Sequence, residues 1–239
     1  METDMKPAVV TTSWDDGHKC DVRLARMLRE HGLRATFYLA PANQEFAKQD
    51  LLTVPEIRDI GQDFEIGAHS MTHRRLPAIS EQEAASEVSE SKAVLEDVTG
   101  KEIKVFCYPG GAYTKVHAQL VKDAGYHYAR TVQRYKFSVE NPYEAGTSLH
   151  VYDHRSDLWQ IAQFSKFQPI NTLRNLKWDV LAKAMFDHVL KEGGIYHIWG
   201  HSWEIDEHGD WQRLEDVFRY ISGNPDASYV TNGELEAYS

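Results

Sequence analysis

Eight short runs rich in β-branched and aromatic residues, at 7–13, 35–40, 64–68, 104–108, 126–132, 148–151, 194–199 and 228–231, alternate with stretches of helical apolar spacing. "DVRLARMLREHG" sets Val22, Leu24, Ala25 and Leu28 largely on one face and closes on a glycine suited to a helix C′ position. "SEQEAASEVSESKAVLEDVTG" opens with Ser80 and Glu83 in capping-box spacing and also ends in glycine. "TKVHAQLVKDAG", "NLKWDVLAKAMFDHVLKEGG" and "WQRLEDVFRYISG" continue the pattern. Strand followed by helix, repeated at this spacing, makes parallel strands covered by helices, an α/β fold. A closed barrel and an open sheet both satisfy the pattern. In either, ligands bind beyond the carboxyl ends of the strands, so polar residues just past a strand carry the most weight.

A single domain spanning 1–239 accommodates the whole pattern, because 42% hydrophobic content supplies a core and no linker, repeat or low-complexity tract divides the chain. Net charge of −10, without a cluster of Lys or Arg, disfavours nucleic acid and an anionic membrane as partners. The opening "METDMKPAVVTTSWDDG" has neither a basic n-region nor an apolar h-region, and no run is long enough to span a membrane. A cytoplasmic location is the expectation. Cys20 and Cys107 form no CxxC and suggest neither a disulfide framework nor a thiolate metal site.

Three segments put reactive groups at strand ends. "VVTTSWDDG" finishes with Asp15, Asp16 and a glycine. Asp-Gly is a common turn, yet two adjacent acids after a buried strand repel, and a metal or a proton must offset that cost. "FEIGAHSMTH" leads into His69 and His73, which would share a face if the segment turned helical. With glutamate absent from the second position it is not the HExxH pattern, but one aspartate plus two imidazoles suits zinc or a similar ion. "GGIYHIWGHSWE" puts His197, Trp199 and His201 at period two, with His201 nearest the carboxyl end. A histidine there can exchange protons near neutral pH. Together these are the parts for metal-assisted hydrolysis.

The three segments resemble the polysaccharide deacetylases, carbohydrate esterase family 4, also called the nodulation-protein-B homology family. Its first motif, roughly T-F-D-D-G, is matched by Ser13-Trp14-Asp15-Asp16-Gly17, and its second, H-[ST]-x-x-H, by His69-Ser70-Met71-Thr72-His73. The resemblance covers nearly the whole chain. It implies a distorted (β/α)7-type barrel in one domain. It makes Asp16, His69 and His73 the ligands of one divalent metal ion, zinc ahead of cobalt, nickel or manganese, and Asp15 the general base. The third motif, near R-P-P-x-G, reads Cys107-Tyr108-Pro109-Gly110-Gly111. Tyr108, Pro109 and Gly110 would then form the oxyanion and substrate loop. The arginine that orients the catalytic aspartate gives way to Cys107, with Arg130 or Arg155 as replacements. A fourth motif, D-x-x-x-W, has no clear counterpart. The last, apolar-x-His, fits both His197 and His201, and the family's spacing after a glycine favours His201 as general acid. Glu204 would orient that ring or contact substrate, as would Trp199.

The activity so implied is removal of an acyl group, typically acetyl, from an N-acetylated sugar or oligosaccharide. A small non-sugar amide is the alternative substrate, and a carbohydrate-binding protein with a vestigial site is the rival of another class. No oligomeric state is legible. "FSKFQPINTLRNLKW" is aromatic and basic, has no evident role in a barrel, and reads equally as a substrate loop or a dimer contact.

Overall fold

The computed structural model describes residues 7–238, so the first six residues of the acidic opening lie outside it. Among the described residues there are eight strands: β1 (Ala8–Asp15), β2 (Ala35–Leu39), β3 (Glu65–Ala68), β4 (Val105–Cys107), β5 (Tyr128–Arg130), β6 (Leu149–His150), β7 (Gly194–Gly200) and β8 (Ala227–Tyr229). Each falls on one of the eight predicted runs. Every strand pair is parallel, in the order β5-β4-β3-β2-β1-β7-β6, with β8 alongside the lower half of β1. The sheet curls into an incomplete barrel. Its open side, between β5 and β6, is bridged by an irregular segment: Thr131 donates to the Ala145 carbonyl at 2.8 Å, and Ser148 donates to that of His197 at 2.9 Å.

The helices are α1 (Asp21–Glu30), α2 (Val54–Asp63), α3 (Glu81–Thr99), α4 (Lys115–Asp123), α5 (Leu158–Phe164), α6 (Pro169–Arg174), α7 (Trp178–Glu192), α8 (Ser202–His208) and α9 (Trp211–Ile221). Ser80 caps α3 in the predicted box with Glu83, and Gly100 closes the helix in a left-handed conformation. Helix α2 escaped the periodicity argument although Thr53 and Glu56 form a capping box and Pro55 sits in its first turn.

Alternation along each strand divides the core into two layers. Val10, Phe37, Phe106, Ala129 and Tyr196 face outward and join the helices in the larger cluster. Val9, Tyr38, Val105, Cys107, Tyr128 and Ile195 fill the barrel. Gly67 on β3 is required here, because a Cβ would meet the Tyr38 ring at 2.5 Å. Lower in the barrel the filling turns polar and hydrogen-bonded: Tyr38 donates to Asn232 Oδ1 at 2.8 Å, and Asn232 donates to Thr11 Oγ1 at 2.9 Å. The segment after β8 thus plugs the amino end of the barrel and leaves the carboxyl end open.

Candidate active site

Asp15 is the last residue of β1, and Asp16 turns away from it at φ 82°, a left-handed conformation uncommon outside glycine. The turn aims the two carboxylates in different directions. Asp16 Oδ2 accepts a hydrogen bond from Trp203 Nε1 at 2.8 Å. Its other oxygen, Oδ1, is buried without a bond of its own, 3.1 Å from His73 Nε2 and 3.7 Å from His69 Nε2.

His69 and His73 do converge, but not on a helix. The segment after β3 is irregular, with Ser70 and His73 at φ 61° and 65°, and this fold-back brings the two rings to a centroid distance of 4.7 Å. The helical geometry entertained from their spacing is therefore incorrect. The loop is held instead by Glu87 on α3, which accepts from Thr72 N at 2.8 Å and from the Thr72 hydroxyl. The far side of each ring also faces a polar neighbour. His69 Nδ1 donates to the Cys107 carbonyl at 2.7 Å, which fixes the tautomer and leaves an Nε2 lone pair facing Asp16. His73 Nδ1 lies 3.1 Å from Glu45 Oε1.

Asp15 is gripped by Arg130 on β5, whose guanidinium bonds both carboxylate oxygens. Arg130 is fully buried and pairs in register with Cys107 on β4, while Arg155 is solvent-exposed and away from this contact. The arginine that bonds Asp15 thus stands on the strand next to Cys107, the position of the arginine in the motif expected from the sequence. Its guanidinium also lies 4.6 Å from the Trp199 ring centre. Burial alone would raise the Asp15 pKa. Arg130, then His69 and His201, outweigh it and hold the carboxyl below its usual value.

A family model described as polysaccharide deacetylase matches residues 2–129, more than half of the sequence. The chain belongs to the polysaccharide deacetylase family. It is 31% identical over 106 residues to a peptidoglycan-N-acetylglucosamine deacetylase of Bacillus cereus, covering 44% of this chain and 37% of that one. It is 23% identical over 137 residues to YxkH of Bacillus subtilis, covering 56% and 48%. The matches therefore span less than half the length of these curated relatives. The fold matches the chitin deacetylase of Colletotrichum lindemuthianum with a TM-score of 0.61 at 18% identity, over 96% of this chain and 87% of that one.

On the opposite wall of this deacetylase-family site, His201 follows β7 directly and caps α8, one residue beyond the strand on which sequence spacing had set it. Its Nδ1 is 2.5 Å from Glu204 Oε2, and its Nε2 is 3.9 Å from Asp16 Oδ2. Glu204 is half-buried and also meets His150 Nε2 at 3.1 Å; His150 Nδ1 in turn is 2.7 Å from His154 Nε2. Burial opposes protonation of His201, but the bond to Glu204 and the fields of Asp16 and Asp15 push its pKa up to about 9. Bonds from His150 and His201, prevailing over burial, bring Glu204 down to about 2, while burial takes His150 down to about 4. His197 points into the barrel, 2.8 Å from Ser13 Oγ, with its pKa driven far down by burial and then by Arg130.

The remaining predicted residues line this wall unequally. Trp199 is nearly buried, stacked on His150 at 4.1 Å. Tyr108 is buried too, its hydroxyl donating to the Tyr143 carbonyl at 2.9 Å, so its side chain shapes the loop rather than facing the cleft. After Pro109, Gly110 reaches the cleft rim at φ 59°, where a Cβ would press on Arg75 Nε at 2.9 Å. The cleft encloses about 300 Å³. His150, Trp203 and Glu45 were absent from the sequence-based set. His150 lies one residue before the end of the strand expected over 148–151 and could have been found by the carboxyl-end rule, whereas nothing in the sequence marks Glu45.

Proposed function

We propose that the protein is a metal-dependent hydrolase that removes an acetyl group from an N-acetylated sugar, with a single divalent ion held by Asp16, His69 and His73. The observation that carries this reading is the convergence of three donor atoms, Asp16 Oδ1, His69 Nε2 and His73 Nε2, within 4.8 Å of one another. The donor chemistry fits zinc: one orphaned carboxylate oxygen and two imidazole nitrogens, with second partners on Asp16, His69 and His73. When bound, the ion would act as a Lewis acid toward the scissile carbonyl and ease ionisation of the attacking water. Asp15, ionised and aimed by Arg130, accepts the proton from that water. His201, protonated because its pKa lies near 9, donates to the departing nitrogen, and Glu204 keeps its Nδ1 side engaged. The names of the relatives favour N-acetylglucosamine-type substrates. A cleft of about 300 Å³ is at the small end for ligand pockets and favours a short saccharide over a groove for a long polymer.

The test is metal content by elemental analysis together with acetate release from short N-acetylated sugars. Wild type should carry one ion per chain, and His73→Ala should lose most of it along with turnover. Full occupancy in His73→Ala would sink the ligand assignment. A metal-loaded wild type inactive on every N-acetyl sugar and small amide offered would sink the hydrolase reading.

A further inference from the structure

The five most exposed large apolar side chains among the described residues are Leu158, Trp159, Phe167, Ile170 and Leu173, at 52, 69, 58, 73 and 67%. All lie on α5, α6 and the turn between them. The inner side of this hairpin is already satisfied: Ile161 is 2% exposed, and Asn175 Nδ2 donates to Ser165 Oγ at 2.9 Å. Among the described residues its outer side meets nothing beyond the arm itself, where the Trp159 and Phe167 rings lie 5.5 Å apart, and contiguous apolar exposure of this kind marks an interaction surface. The turn adds a second observation. Lys166 and Phe167 are consecutive left-handed residues, at φ 52° and 55°, whose N–H groups close α5 by donating to the carbonyls of Gln163 at 3.0 Å and Ala162 at 2.7 Å. The turn leaves the Phe167 side chain 58% exposed, its ring against that of Trp159.

Charge on the arm is as one-sided as its hydrophobicity. Residues 158–178 contain Lys166, Arg174 and Lys177, all exposed, and no carboxylate. Of the neighbouring acids, Asp157 is paired with Arg134 at 2.7 Å and Asp179 with Arg213 at 2.6 Å, while Asp187 lies in a groove with Lys166 and Arg174. The chain as a whole is at −10, so the rest is more negative still. The net charge that disfavours an anionic membrane is thus an average over two unlike surfaces.

We infer that the α5–α6 arm docks the protein on an anionic lipid surface. Exposed Trp, Phe, Ile and Leu interspersed with Lys and Arg is the composition of an element lying in the headgroup boundary, apolar groups inserted and cations against lipid phosphates. Among the described residues no helix is long and apolar enough to cross a membrane. A second copy fits less well, because reciprocal pairing of two arms would set like charges against each other. The arm leaves the carboxyl end of β6 only a few residues past His154, which lines the cleft. Docking would therefore hold the open end of the barrel beside the headgroups, where a lipid-borne substrate would present its polar end.

The inference stands apart from the deacetylase reading, and its test needs no turnover. The full chain is sedimented with vesicles of phosphatidylcholine plus phosphatidylglycerol, and with phosphatidylcholine alone. Wild type should partition onto the mixed vesicles, less onto the neutral ones, and less as salt is raised. Trp159→Ser with Ile170→Ser should lower partitioning about tenfold or more while the melting temperature holds, since both side chains are exposed. Lys166→Gln with Arg174→Gln should weaken binding roughly fivefold per charge on the mixed vesicles only. Absence of wild-type partitioning at low salt, or partitioning unchanged in the Trp159/Ile170 variant, overturns the inference. So does a lipid-free dimer that this variant converts to monomer, which would make the face a contact between copies.

Discussion

Replacing Arg130 with methionine tests how the site holds its base. The substitution keeps most of the side-chain length but strands the Asp15 carboxylate, 2% exposed, without the guanidinium that bonds both its oxygens. Removing one partner of a buried ion pair costs about 3–5 kcal/mol, because the remaining charge is left desolvated. At roughly 2–4 °C per kcal/mol for a domain of this size, melting should fall by about 6–20 °C. Activity should respond in a definite direction. Arg130 is the leading influence that lowers the Asp15 pKa against burial, so its loss raises that pKa, and the low-pH fall in kcat/KM should begin at higher pH. The control is a second substitution, Cys107→Arg, in the Arg130→Met background. Cys107 pairs in register with Arg130, and its Sγ lies 3.7 Å from Asp15 Oδ2, so an arginine there starts one strand away from the same carboxylate. It should recover at least half of the lost melting temperature and return the acid limb toward wild type. Thermal melts and pH profiles of the three proteins decide the matter. An Arg130→Met protein that melts with wild type and keeps its pH profile would refute the claim that this pair matters.

Asp15→Asn should retain the metal yet lose about two to four orders of magnitude in turnover; metal loss in this variant but not in Asp16→Asn would reverse the two assignments. His201→Ala should lower turnover by roughly two orders or more with folding intact, whereas His197→Ala, which breaks a buried contact to Ser13, should mainly lower the melting temperature. Because His201 must be protonated to donate, turnover should fall as pH rises through its pKa; a cation beside Asp16 offsets part of what lifts that pKa to about 9, so the loaded enzyme should decline somewhat lower. Glu204→Gln removes the strongest raising influence and should move this limb further down, and an unmoved limb in that variant would separate it from His201.

The strands were legible because parallel strands covered on both faces read as short bounded runs rich in β-branched and aromatic residues, which a sequence displays well. Asp15, Asp16, His69 and His73 were legible as motifs, but the loop that unites the two histidines was not. Its left-handed Ser70 and His73 are imposed by Glu87 from another helix, a tertiary contact that no local spacing encodes. Arg130 was only one of two candidates, since choosing it requires knowing that β5 lies next to β4. The apolar arm was visible as composition alone; that α5 and α6 turn five large side chains outward is a fact of packing.

The position of β1 also governs how the chain acquires its shape. It is central in the sheet, yet Ala8 pairs with Gly194 and Ala227, so two of its neighbours arrive from the far part of the sequence. At ribosomal rates, an interval on the order of 10–40 s separates emergence of β1 from that of β7 and β8. For that interval "AVVTTSW" is an unpaired, strongly β-forming edge of the kind that recruits other nascent chains. Asp15 and Asp16 stand at its end, where adjacent like charges oppose stacking with a second copy. The repulsion that the finished site must offset is therefore useful earlier, as a guard on the growing polypeptide.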